Sequence, residues 1–254
     1  MEKYPNRLQA IDKLQQQIAK RRTLKRDELK ELKEYYRIGL TWSSNALEGN
    51  SLTEVETKIV LEDGLTIGGK PMRDYFEAVG HGEAFDLLYQ RGKRRGVTEA
   101  EILKLHRLFY RHVDEKNAGK YRKKKVIVTG ALINFPLPAE LKAKMAAFVR
   151  ETEEKREILH PVDYAAELHA GLVTIHPFID GNGRTARLLM NLALLQHGYP
   201  VTIIPPVVRG DYIEAIRKAN VGDHGPFRNF ISTMVWEAQR EYLRLLDGLA
   251  VEEI

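Results

Sequence analysis

The sequence predicts a mostly α-helical fold carrying one small β-hairpin. Three observations point there: apolar residues recurring at helical spacing, repeated helix-start signals with a hydroxyl or Asp three residues before a Glu, and a single β-branched stretch that breaks both patterns. With 254 residues, of which 43% are apolar, the chain can bury an ordinary core as one large domain or two small ones.

Taken in order, Leu8, Ile11, Leu14 and Ile18 mark a first helix, and Leu24, Leu29, Leu32 and Tyr36 continue the pattern less regularly. Ser51 to Glu54 reads as a capping box ahead of VETKIVLED, with Gly64 as the stop. Asp74 to Glu77, Thr98 to Glu101 and Asp211 to Glu214 repeat that signal or its Asp variant. RGKRRG, Arg91 to Gly96, is the expected seam between an N-terminal helical segment (1–97) and the remainder. Val126 to Pro138, VIVTGALINFPLP, is β-branched with Gly130 near its middle, and predicts a short hairpin. Two strands alone are marginal, so this hairpin must lean on helices or be completed by a partner strand. Pro138, Pro161 and Pro226 suit the first turns of three further helices. One helix is expected from Pro161 to Ile175, stopped by Pro177. Another runs from Gly183 to His197 with Leu188, Leu189, Leu192 and Leu195 inward, before Gly198 and Pro200.

Composition narrows the function classes. Zero cysteines exclude a disulfide framework, a thiolate metal site and a cysteine nucleophile. No apolar run approaches the roughly 20 residues that span a bilayer, and the N-terminal sequence lacks a signal-peptide apolar stretch, so a cytoplasmic protein without membrane partners is expected. The net charge of +5 is small beside 40 basic and 35 acidic residues. Basic patches at Lys20 to Arg26 and Lys120 to Lys125 could attract phosphates or nucleic acid, or be plain solvated faces. Zinc spacing, an RNP-like aromatic motif and a helix-turn-helix are all missing, which argues against nucleic acid.

The chemistry concentrates between the last two of these helices, in HPFIDGNG. Gly181 and Gly183 permit tight turning and close approach of backbone to a ligand. The loop feeds a helix N-terminus, where free N–H groups and the helix dipole favour an anion. Arg184 and Arg187 share a face at that same end, where cations oppose the dipole and call for an anionic partner. Asp180 is a hard oxygen ligand suited to Mg²⁺ held against phosphates. His176 offers a base whose ordinary pKa of about 6.5 lies near working pH. The set implies a nucleoside triphosphate, a metal and a proton to remove.

HPFIDGNGRTAR, His176 to Arg187, resembles the signature of Fic proteins, H-P-F-x-D/E-G-N-G-R-x-x-R, at every specified position. The resemblance extends over roughly Thr98 to Thr233, the expected Fic (Fido) domain, leaving 234–254 as a C-terminal helix end. It implies a Fic-type helical core with a hairpin flap and an N-terminal helical extension. It also implies an adenylyltransferase that moves AMP from ATP to a Ser, Thr or Tyr hydroxyl of a target protein. By position, His176 would deprotonate that hydroxyl and Asp180 would hold Mg²⁺ against the α- and β-phosphates. Pro177, Phe178, Ile179, Asp180, Gly181, Asn182 and Gly183 would line the nucleotide. Arg184 would contact the terminal phosphate, and Arg187 would support the phosphate cradle and the inhibitory region. Tyr212 and Asn220 resemble positions used around the nucleobase. The segment 126–135 resembles the flap that docks the target by strand addition, with Val128, Thr129, Gly130 and Ala131 also lining the nucleotide.

Upstream, Ser44-x-x-x-Glu48-Gly49 resembles the family's inhibitory motif, S/T-x-x-x-E-G/N. The implied contact is Glu48 on Arg184, a carboxylate competing with a phosphate for one guanidinium fork. Three other readings stay open. A kinase would transfer the γ-phosphate, a reading the intact Gly181-Asn182-Gly183-Arg184 opposes; a de-AMPylase would use the same site in reverse; a non-catalytic nucleic-acid module would ignore ATP. Apolar surface on the first helices is compatible with a homodimer.

Overall fold

A computed structural model describes residues 3–21, 23–92, 96–127 and 133–251. Ten α-helices follow in order among these residues: α1 Leu8–Ala19, α2 Arg26–Ala46, α3 Glu54–Glu62, α4 Met72–Arg91, α5 Glu99–Tyr110, α6 Leu141–Arg156, α7 Pro161–Ile175, α8 Asn182–Gln196, α9 Arg209–Asn220 and α10 Gly225–Val251. Single 3₁₀ turns, Pro138–Glu140 and Pro206–Val208, lead into α6 and α9.

The helix starts follow local chemistry, with three shifts from expectation. One is at α9, where Asp211 lies inside the helix and accepts from Lys3 and Tyr4 (both 2.7 Å) in place of capping it. Thr98 caps α5 with Glu101 reciprocating as the sequence predicts. For α3 the cap is Thr53 with Glu56, two residues later than Ser51 to Glu54, because the Ser51 N–H and hydroxyl are both taken by Asp74 (2.8 and 2.6 Å). Asp74 and Glu77 likewise do not cap a helix. α4 begins at Met72, so both carboxylates lie inside it and face inward.

At the centre, α7 packs along α8 and is covered by α6, α9 and α10. α7 buries Val162, Ala165, Leu168 and Leu172, and also Tyr164 and His169, so it is apolar nearly all round, as a fully surrounded helix must be. α8 buries every residue from Arg184 to Leu194. One buried cluster runs from Ile11, Tyr36 and Leu88 through Phe109 and Leu168 to Phe230 and Val235. The N-terminal helices and the later ones therefore share one core. The boundary expected after Thr233 falls inside α10, which continues unbroken. α1 is fastened along α10, where the Gln239 side-chain amide donates to the Ile11 carbonyl and to Gln15.

The expected hairpin meets a correction. Its centre, Val128, Thr129, Gly130, Ala131 and Leu132, lies outside the described residues, and the described arms on either side carry no strand. Ile127, a β-branched residue that suggested a strand, is 97% exposed. No helix among the described residues is long and apolar enough to cross a membrane.

Candidate active site

The site is the α7–α8 turn. α7 stops because Pro177 cannot donate to the ladder, and His176 takes a left-handed conformation (φ 52°, ψ 57°), the only non-glycine among the described residues with positive φ. Such strain persists only when the surroundings hold it. Asn182 closes the turn with both ends of its amide, accepting from the Phe178 N–H (2.9 Å) and donating to the Phe178 carbonyl (3.0 Å). Phe178 is fully buried and stacks on His106 at 3.7 Å with the rings parallel. Burying such a ring contributes about 2–3 kcal/mol. His106 Nδ1 accepts from the Gly119 N–H (2.9 Å), so the proton sits on Nε2, which donates to the Asp180 carbonyl (3.1 Å). Burial pushes the His106 pKa down to about 4, keeping it neutral in this role.

His176 presents one ring nitrogen free of a partner among the described residues. Its Nδ1 faces the Val173 carbonyl at 3.3 Å, which places the proton there and leaves the Nε2 lone pair free. Desolvation lowers its pKa below the usual 6.5, so the ring is neutral at neutral pH. Phe135, from the far arm of the expected flap, lies 4.6 Å from the imidazole ring.

The anion end is built around α8. Gly181 caps it at φ 76°, a conformation that penalises any side chain. At Gly183 a Cβ would collide with the Glu48 carboxylate, so Glu48 lies directly over the first turn of α8, where helix N–H groups attract an anion. Arg187 is buried with its guanidinium filled: Nε donates to Ser44 Oγ (2.9 Å), Nη1 to the Tyr212 hydroxyl (3.0 Å), and Nη2 to the Ser44 carbonyl and Glu48 Oε1 (both 2.8 Å). Glu48 is therefore paired with Arg187 and not with Arg184 as expected. The reason is geometric. Ser44 and Glu48 stand four apart at the end of α2, so both reach the same guanidinium, whereas Arg184 turns towards α4. Burial alone would raise the Glu48 pKa, but Arg187 overrides it and holds the carboxyl below its ordinary value.

Arg184 pairs with Glu77 (2.9 Å) and stacks over the Phe109 ring (4.4 Å), with Asp180 at 3.5 Å. Its Nε has no partner among the described residues. Asp180 accepts from the Gly181 N–H (2.6 Å) at Oδ1 and from Arg73 (2.5 Å) at Oδ2. Desolvation works against its charge, yet Arg184, this N–H and Arg73 keep its pKa low. Pro177 is buried, and Ile179 is 38% exposed at the turn's edge.

Tyr212 lies behind Arg187. It is 2% exposed, enclosed by Phe227 and Phe230, and its hydroxyl bridges His169 Nε2 (2.8 Å) and Arg187. It supports the Arg187 guanidinium through that hydroxyl. Asn220 ends α9 and accepts from the Thr174 hydroxyl (2.9 Å), two residues before His176.

Several residues at the site escaped the sequence reading. Glu77 was masked by its resemblance to a cap. Arg122, inside a basic run, is 3% exposed and donates to the carbonyls of His176 (2.8 Å), Lys124 (2.9 Å) and Pro136 (2.6 Å). It thus joins the residues flanking the 126–135 segment, Lys124 and Pro136, to the end of α7 at His176. An arginine among lysines carried no signal of burial.

Residues 96–194 match the model of the Fic/DOC family. The protein adenylyltransferase Fic of Nematostella vectensis is 39% identical over 194 residues, covering 75% of this chain and 45% of that protein. The chain thus spans less than half the length of that relative. A solved fragment of Fic-1 from C. elegans is similar with a TM-score of 0.85 at 27% identity, covering 95% of this chain and 72% of that one. A Fic domain containing signaling protein from Bacteroides thetaiotaomicron gives 0.85 at 28% identity, with coverage of 95% and 98%.

Proposed function

This chain belongs to the Fic/DOC family, and from that premise we propose that it is a protein adenylyltransferase, joining AMP from ATP to a hydroxyl side chain of a target protein. The observation that carries the reading is the neutral His176, with Nε2 free, at the mouth of an anion-ready helix N-terminus. His176 Nε2 takes the proton of the incoming hydroxyl as its oxygen bonds to the α-phosphorus. The bond from that phosphorus to the bridging oxygen of the β-phosphate breaks, and pyrophosphate leaves. Positioning and charge neutralisation supply most of the acceleration. Arg184, the N–H groups of α8 and the close approach at Gly183 serve the phosphates, and Asn220, held by Thr174 near the end of α7, serves the nucleoside.

The donor set fits a divalent cation in one respect. Asp180 is a single hard carboxylate in an anion-binding turn, and Mg²⁺ is commonly held by one or two carboxylates with substrate phosphates completing the shell. Bound there, Mg²⁺ would neutralise charge on the α- and β-phosphates.

We further propose that Glu48 restrains this activity. Its carboxylate holds Arg187 and overlies the start of α8, so a triphosphate must displace it before seating. The 126–135 segment, whose flanking residues Lys124 and Pro136 are held by Arg122, is the proposed dock for the target.

Labelled ATP tests the reaction class. Incubation with lysate proteins and Mg²⁺ should transfer label from the α-phosphate to protein and none from the γ-phosphate. Transfer of the γ-label would make the protein a kinase.

A further inference from the structure

We infer that Arg73 occupies the cation position at Asp180, so that a divalent ion binds there only by displacing its guanidinium. The inference rests on the reading of Asp180 as the metal-binding carboxylate. Arg73 stands at the start of α4, far from the signature in sequence, and nothing in its local pattern marks it for the site. Its Nη2 lies 2.5 Å from Asp180 Oδ2. The other carboxylate oxygen, Oδ1, is engaged by the Gly181 N–H at 2.6 Å and faces Arg184 at 3.5 Å. Oδ2 is thus the oxygen that Arg73 caps.

The contact is built to be broken. Arg73 Nε donates to Glu77 Oε1 at 2.9 Å, and Glu77 is itself held by Arg184 and by the Asn50 side-chain amide (3.1 Å). Arg73 therefore has a fixed anchor that does not depend on Asp180. Its side chain is 54% exposed and Asp180 is 40% exposed, so the Arg73–Asp180 contact is screened and weak. A divalent ion brings twice the charge to the same oxygen, and the guanidinium can swing into solvent while Nε stays on Glu77. The consequence is a raised threshold: the metal requirement of this site is set by Arg73 as well as by Asp180.

The test uses Mn²⁺ alone on the nucleotide-free full chain, read by paramagnetic broadening of the Gly181 amide signal. Arg73→Ala should reach half-broadening at about fivefold lower Mn²⁺ than the unaltered protein, the gain expected from removing one exposed ion pair. Arg73→Lys, which keeps a cation, should stay close to the unaltered protein. Asp180→Asn should abolish the localised broadening in either background. Lys70→Ala removes a charge nearby in sequence that pairs with Glu56 and not with Asp180, and should change little. Equal Mn²⁺ sensitivity of Arg73→Ala and the unaltered protein would overturn the inference. So would broadening that survives Asp180→Asn, or a Lys70→Ala effect as large as that of Arg73→Ala. Because no turnover is read, this result stands or falls separately from the proposed AMP transfer.

Discussion

Glu77 on α4 and Arg184 on α8 lie 2.9 Å apart with both side chains almost fully buried, at 6% and 3% exposure. The neighbouring pair differs in one respect: Arg187 is 2% exposed, but its partner Glu48 is 37% exposed. Both arginines of the signature are thus held by carboxylates from outside it. One carboxylate is locked into the core and the other borders solvent. In the proposed phosphate site, Glu77 would be the fixed support and Glu48 the removable one.

Removing Glu77 should therefore be costly to the fold. Glu77→Ala leaves the Arg184 cation buried with only Asp180 and Asn45 at 3.5 Å, and should destabilise the protein by about 3 kcal/mol. Urea unfolding measures this directly. A loss below about 1 kcal/mol would mean that Arg184 finds another partner.

Removing Glu48 should be cheap to the fold and costly to restraint. Arg187 keeps Ser44 and Tyr212, so Glu48→Gly should lower stability by less than about 1 kcal/mol. ATP affinity should rise by about tenfold, the equivalent of roughly 1.4 kcal/mol of competing contact. Titration calorimetry with ATP checks it, and unchanged affinity would argue against self-restraint.

Much of this site was legible in sequence because its parts are local. The α7 bounds, Pro161 and Ile175, follow from two prolines, and the His176–Arg187 turn is one continuous segment. What escaped is what the tertiary fold brings in. Glu77, Arg73 and Arg122 reach the site across α4 and the segment after α5; short-range patterns read Glu77 as a cap and Arg122 as surface charge, and gave Arg73 no role. The partner of Glu48 escaped for the same reason. Spacing shows that Ser44 and Glu48 share a face, but only packing decides which arginine meets them.

The base assignment carries a pH signature. His176 has a lowered pKa, so it is unprotonated and competent at neutral pH and becomes inactive only as pH falls through a value below 6.5. kcat/KM for ATP, measured on Glu48→Gly to separate the two carboxylate and imidazole roles, should stay flat from pH 8 to about 6.5 and decline below. A decline already centred above 6.5 would contradict the lowered pKa.

Arg122 should matter for the target more than for ATP. Arg122→Ala releases three carbonyls at once, including that of His176, and lets the 126–135 arms drift relative to the base. Target labelling should fall by about tenfold or more while ATP affinity stays within roughly threefold. Arg122→Lys should fail to rescue it, since an ammonium lacks the planar fork that spans these acceptors. Loss of ATP binding in both variants would show a general structural role.

The central claim is most directly tested by α-labelled ATP and Mg²⁺ with three proteins: unaltered, Glu48→Gly, and Glu48→Gly with His176→Ala. Label on protein should be low in the first, high in the second and absent from the third, with all three folded. Equal labelling by the last two would contradict His176 as the base, and equal labelling by the first two would contradict restraint by Glu48.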